Sequence, residues 1–265
     1  MENKIENITI GSDIEVFLKN KAGKNISAEG FIPGTKYEPM KVEKLRTLSI
    51  DNVAAEFTIN PVTTLEAWVE EINTMKKFVA DFVRPNELEL DIYPARNFDE
   101  DQLQTENAIM FGCEPDYNIR KWLQNDAPLA VESNLRSCGG HLHFAWPKFT
   151  PEDGAELIAA LDVFLALPMM FLEEPNKRRE LYGKSSCVRM KHYGKGLQGI
   201  EYRTLSNWWT RSDELITYVW NGIQKAIDFV NEGKVVEDWA GICEAIDNND
   251  VDKAREYMRN LSIQI

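Results

Sequence analysis

Four short segments of this chain alternate polar and apolar residues with a period of two, a pattern that fits a β-sheet with one buried and one open face. In residues 8–18, Ile8, Ile10, Ile14, Val16 and Leu18 define one side, and Thr9, Gly11, Asp13, Glu15 and Phe17 the other. Residues 49–60 read as one second strand, in which Asn52, Ala54, Glu56, Thr58 and Asn60 alternate with Val53, Ala55, Phe57 and Ile59. In residues 140–146, His141 and His143 oppose Leu142, Phe144 and Trp146. Gly139 and Gly140 just before them are expected to leave room for a ligand to approach. In residues 199–205, Glu201 and Arg203 oppose Ile200 and Tyr202.

Helical periodicity lies between these segments. Residues 64–83 place Leu65, Trp68, Val69, Ile72, Met75, Phe78, Val79 and Phe82 on one stripe, with Thr63 and Glu66 spaced as a capping box. Thr150 and Pro151 open a second helix, apolar nearly all round, with a kink or end expected at Pro168. A third helix is expected over 212–232, closed by Gly233, and two short ones flank Asn248 and Asn249. Without an internal repeat or a Ser/Gly/Pro-rich linker, residues 1–265 read as one domain. Its expected class is α+β, a mostly antiparallel sheet with helices packed on one face.

If the four strands share a sheet, Asp13, Glu15, Glu56, His141, His143 and Glu201 lie along one surface. Carboxylates so close repel one another and raise their pKa values, and divalent cations relieve that repulsion. A mainly oxygen donor set with imidazole suits Mg²⁺ or Mn²⁺ better than structural zinc. For any one strand an ordinary solvent-facing polar row explains the pattern as well; four together favour a cation site.

Charge and motifs narrow the classes further. A net charge of −13 argues against nucleic acid, whose binding depends on neutralised phosphates. Between Lys177 and Arg203, however, eight Lys or Arg stand against two Glu, which suits a small polyanion such as a nucleoside triphosphate and equally suits a solvated basic loop. The N-terminus has no basic region followed by an apolar stretch, and no run of 18 apolar residues occurs, so a cytoplasmic protein without a membrane partner is expected. Cys113, Cys138, Cys187 and Cys243 form no CxxC pair and read as reduced thiols. Gly194, Gly196 and Gly199 spell GxGxxG but precede a strand, where a dinucleotide site needs a helix. Gly183-Lys184-Ser185 mimics the end of a P-loop, yet Arg178 stands where its first glycine belongs. No GxSxG or HExxH occurs, while the HxH pair leaves a metal-dependent hydrolase or oxygenase open.

Read in order, Gly-Ser-Asp-Ile-Glu (11–15), Asp-Asn-Val-Ala-Ala-Glu-Phe (51–57), Gly-Gly-His-Leu-His (139–143) and Glu-Tyr-Arg (201–203) resemble the glutamine synthetase and glutamate-cysteine ligase superfamily. They are most similar to its phage-associated carboxylate-amine ligases, COOH-NH2 ligase type 2. Residues 33–36 and 111–116 also look like family segments. The resemblance implies a glutamine synthetase-like catalytic domain that uses ATP and Mg²⁺ or Mn²⁺ to join a small-molecule or peptide carboxylate to an amine through an acyl phosphate. It implies that Glu15 and Glu56 hold one metal, with Glu56 in the catalytic group, and that Asp13, His141 and Glu201 hold a second, which bridges the ATP phosphates. It places His143 near those phosphates, with Arg203, Arg189 and Arg178 or Arg179 neutralising the transferred phosphoryl group. Asp13 is one methylene shorter than the glutamate usual in glutamine synthetases. A kinase of the same superfamily and a non-catalytic binding module are the remaining alternatives, and the oligomeric state is open.

Overall fold

The computed structural model of the chain describes residues 4–109, 116–125, 133–194 and 196–264. Its strands, in chain order, are β1 (Thr9–Asn20), β2 (Asn25–Ile26), β3 (Met40–Glu43), β4 (Arg46–Asp51), β5 (Ala54–Thr58), β6 (Leu88–Asp91), β7 (Ala95–Asn97), β8 (Tyr117–Asn118), β9 (Leu123–Gln124), β10 (Leu135–Ser137), β11 (Gly140–Ala145), β12 (Cys187–His192) and β13 (Gln198–Tyr202). The main sheet runs β3-β4-β5-β1-β11-β13-β12-β8-β9, and each adjacent pair is antiparallel. β2 and β6 pair with the far half of β1. The α+β class is borne out.

The helices are α1 (Leu65–Val83), α2 (Glu106–Ile109), α3 (Pro151–Leu161), α4 (Leu167–Leu172), α5 (Arg178–Leu181), α6 (Asp213–Asn231), α7 (Trp239–Asp247) and α8 (Val251–Asn260). Ile10, Ile14, Phe57, Leu142, Phe144, Ile200 and Tyr202 form one buried cluster with Trp68, Ile72 and Met75 of α1, Leu157 and Ile158 of α3, and Ile216, Val219 and Ile223 of α6. The helices thus cover the apolar face of the strands. Each such side chain taken out of water contributes about 1.5–3 kcal/mol before ordering costs. Trp68 stacks on Trp209, ring centroids 5.4 Å apart, beneath the start of β11.

Several boundaries differ from the sequence reading for physical reasons. Residues 49–60 are a hairpin rather than one strand: Asn52 adopts φ 56°, a conformation Asn tolerates at a turn, and β4 doubles back onto β5. The N-cap of α1 is Thr64, whose hydroxyl accepts from Ala67 N, one residue after the expected Thr63. The break in the second helix comes at a π turn over Asp162–Ala166, ahead of Pro168 in the first turn of α4. The continuous helix from Pro151 to Leu172 is long and apolar enough to cross a membrane by composition, but here it is mostly buried within the protein. β12 lies inside the basic run that gave no strand signal. The described cysteines, Cys138, Cys187 and Cys243, are buried free thiols; Cys113 and residues 111–115 lie outside the described residues.

Candidate functional site

The register of five adjacent strands decides which side chains meet. Across β1 and β11, Asp13 faces His141 and Gly11 faces His143; across β1 and β5, Glu15 faces Glu56. Across β11 and β13, His143 faces Glu201, and across β13 and β12, Glu201 faces Arg189. Period-two alternation then puts all of these on the face away from the helices. The structure therefore brings together Asp13, Glu15, Glu56, His141, His143, Arg189, Glu201 and Arg203.

They divide into two donor sets, each with ligand atoms within 4.8 Å of one another: Asp13, His143 and Glu201, and Glu15, Asp51 and Glu56. This differs from the sequence reading twice. His143 stands in the first set, and His141, expected there, reaches the same two carboxylates, with Nδ1 2.9 Å from Asp13 Oδ1 and 3.6 Å from Glu201 Oε1. Asp51 joins the second set through the β4–β5 hairpin. Both sets are rich in carboxylate oxygen, and their electrostatics fit a divalent cation.

Burial pushes the Asp13 carboxyl up, but His143 and His141, close on both oxygens, outweigh it and hold the group well below the usual range. Glu201 is fully buried, yet Arg203 beside it, with both histidines, brings its pKa down to about 2. Glu15 is raised by burial, with His141 opposing, while one of its oxygens accepts from Gly139 N at 2.7 Å. Glu56 is raised well above the ordinary range by burial and by Asp13, Asp51, Glu15 and Glu201 around it. The carboxyls of Asp13 and Glu201 are thus lowered by their basic neighbours, whereas those of Glu15 and Glu56 are raised, and a cation bound beside them would oppose that rise.

The arginines separate by what they touch. Arg203 pairs with Glu201 through Nη1, lies 3.7 Å from Asp116 and 3.4 Å from His141 Nδ1, and lines a cleft with Glu15, Asp51, Arg136 and Tyr182. Arg189 Nη1 is 3.8 Å from Glu201. Arg178 lines the same cleft, but its guanidinium donates to the carbonyls of Thr204 and Arg203, at 2.8 and 3.3 Å, and is packed against Gly183. A Cβ at Gly183, where φ is 78°, would fall 1.7 Å from Arg178 Nη1. Arg178 thus braces the backbone beneath Arg203, and burial lowers its pKa to about 10. Arg179 is half-buried and outside that lining.

The room expected at Gly139 and Gly140 is filled by the protein itself. A Cβ at Gly139 would stand 2.1 Å from His141 Nε2, and one at Gly140 would stand 2.5 Å from Trp209 Nε1. A second, more apolar cleft begins at His143 and runs past Gly11, Leu45, Pro61, Tyr193 and Leu197. Tyr193 hydroxyl lies 2.9 Å from His143 Nδ1.

Sequence reasoning missed Asp51, Lys191, Asp116 and Tyr193. Lys191 and Tyr193 share the parity of Arg189 and were legible once β12 was recognised as a strand. Asp51 was hidden by reading the hairpin as one strand, and Asp116 stands at the end of a segment without periodicity.

Residues 116–222 match the family model of phage phiEco32-like COOH.NH2 ligase-type 2. The resemblance drawn from the motifs is borne out over that span. The matched segment contains His141, His143, Arg178, Arg179, Arg189, Glu201 and Arg203, while Asp13, Glu15 and Glu56 precede it. No curated protein matches the chain. Among solved structures, a bifunctional glutathione synthetase from Pasteurella multocida overlays with a TM-score of 0.42 at 12% identity, covering 97% of this chain. The chain spans 45% of that protein's length.

Proposed function

We propose that the chain is an ATP-dependent carboxylate-amine ligase. The observation that carries this reading is the pair of carboxylate-rich donor sets on one sheet face, flanked by Arg189 and Arg203 and set between two clefts of different polarity. Asp13, His143 and Glu201 would hold one Mg²⁺ or Mn²⁺, with His141 steadying Asp13; Glu15, Asp51 and Glu56 would hold the other. Such cations, when bound, draw charge from phosphate oxygens and leave the γ-phosphoryl group open to attack.

The apolar cleft beyond His143 offers the surface a nucleoside needs, with Tyr193 and Leu197 as one wall and Leu45 and Pro61 as another. The polar cleft on the other side offers Arg203 to a carboxylate. A carboxylate oxygen there takes the γ-phosphoryl group, and ADP leaves. The amine nitrogen then attacks the acyl carbon, phosphate departs with the oxygen, and the nitrogen gives up a proton to leave an amide. Arg203 and Arg189 stabilise charge on the transferred group, so no protein nucleophile is required.

The test is ATP turnover with candidate acids and amines. The expected result is Mg²⁺- or Mn²⁺-dependent ADP release stimulated by an amine, with an amide product, and its loss in Glu15→Ala and Glu201→Ala variants that remain folded. Wild-type rates in either variant would overturn the assignment. ADP release with a stable acyl phosphate and no amide would replace the ligase by a kinase.

A further inference from the structure

Glu201 is a fully buried carboxylate compensated by more cations than its own charge requires. Oε1 meets Arg203 and lies 3.8 Å from Arg189, while Oε2 lies 2.7 Å from Lys191 Nζ. Lys191 differs from the two arginines in its freedom. It sits one β period beyond Arg189, opposite Gly199, and its side chain is 30% exposed where Arg189 and Arg203 are 10% and 5%. A buried carboxylate needs a cation close by, which either an ammonium or a metal ion can supply. Both cannot stay. An ammonium beside a divalent cation on the same carboxylate is repelled, and a four-carbon stem at the rim lets it leave at low cost.

Where it would go follows from β12. The ammonium touches the donor set of Asp13, His143 and Glu201 through Glu201, and two residues on from Lys191, Tyr193 bonds His143 and forms a wall of the apolar cleft assigned above to the nucleotide. Resting on that ligase reading, we infer that Lys191 is a placeholder: it compensates Glu201 in the metal-free protein and passes to the phosphates when a metal-nucleotide complex binds. Arg203 stays paired with Glu201 Oε1 throughout, so the handover concerns only the Oε2 side of the carboxylate. The handover makes metal uptake without nucleotide unfavourable, because the displaced ammonium then has no anion to meet.

The placeholder predicts opposite effects on two affinities, which a merely structural salt bridge does not. Mn²⁺ alone is titrated by paramagnetic resonance of the free ion, and adenylyl imidodiphosphate is titrated by calorimetry at saturating Mn²⁺. Lys191→Met is expected to bind Mn²⁺ alone about fivefold tighter, because the competing ammonium is gone. The same variant is expected to bind the nucleotide analogue about tenfold weaker, because a charged contact to phosphate is lost. Lys191→Arg should keep nucleotide binding to within about threefold of wild type. Lys191→Gln carries the Met expectations if Lys191→Met does not fold. Mn²⁺ affinity unchanged or weakened in the neutral variant, or nucleotide affinity unchanged, would overturn the handover. Wild-type protein that takes up Mn²⁺ but no nucleotide analogue would overturn the ligase reading and the handover with it.

Discussion

Glu15 and Glu56 stand directly opposite each other on neighbouring antiparallel strands, with Asp51 close enough to share a ligand with both. Like charges in that relation destabilise a sheet. The structure answers by keeping Glu56 protonated well above the ordinary carboxyl range. Binding a cation here must therefore expel a proton. Mn²⁺ titrations in two buffers of different ionisation enthalpy are expected to differ in heat, reporting proton release, with affinity rising as pH rises above the ordinary carboxyl range. Identical heats in the two buffers would contradict it.

The same relation predicts that Glu56→Gln stabilises the protein. A carboxyl whose folded pKa is raised costs stability once the pH passes its unfolded value, and the cost stops growing above the folded value. The gain in the variant should therefore be absent at pH 4 and present at neutral pH in denaturant unfolding. Mn²⁺ affinity should fall in the same variant. A stabilised variant with undiminished metal affinity would remove Glu56 from the donor set.

Asp162 supplies a pH dependence outside the site. It lies in the π turn, fully buried, and accepts from Ser186 Oγ at 2.9 Å, Tyr202 hydroxyl at 2.8 Å and Trp239 Nε1 at 2.9 Å. Burial raises its pKa to about 6 despite these donors. The folded protein thus binds this proton more tightly than the unfolded chain. Stability should fall as pH rises from about 4 to about 6 and level off above, by up to about 3 kcal/mol. Asp162→Asn replaces an acceptor oxygen by an NH2 group facing donors; it should cost about 1–3 kcal/mol at pH 7 and flatten that slope relative to wild type. Melting temperatures across the range for both proteins decide it.

Gly139→Ala should disable the site while sparing the fold. The added methyl would meet His141 Nε2 at 2.1 Å, and the imidazole is the softer party. Displacing it frees Asp13 from its 2.9 Å partner, so Mn²⁺ affinity should drop about tenfold with a melting point near wild type. Unchanged affinity would show that His141 does not steady Asp13.

What the sequence disclosed depended on whether a residue's neighbours were local. Asp13, Glu15, His141, His143 and Glu201 lie on strands long enough for alternation to be read, and alternation alone assigns their common face. That both histidines reach Asp13 was not legible, because the cross-strand register between β1, β11 and β13 sets it. Asp51 was lost for a simpler reason: at a hairpin the parity of the chain reverses, and the turn residues Asp51 and Asn52 lack the glycine that usually announces it. Arg178 or Arg179 was expected beside phosphate; the use of both terminal nitrogens of Arg178 on backbone carbonyls depends on a segment twenty-five residues away, beyond the reach of periodicity. The π turn was masked by Pro168, a stronger local signal for the same break.

The rings packed into Gly139 and Gly140 have a bearing on how this protein could acquire new preferences. With His141 filling one gap and Trp209 the other, the rear of the chamber has no slack, and enlarging it would dislodge a histidine or the indole stacked beneath. On the reading proposed above, variation in the nucleotide held must come from the other cleft, where Leu45, Pro61 and Leu197 line the wall beside Tyr193, which is tied to His143. Libraries aimed at a new nucleotide preference belong on Leu45, Pro61 and Leu197.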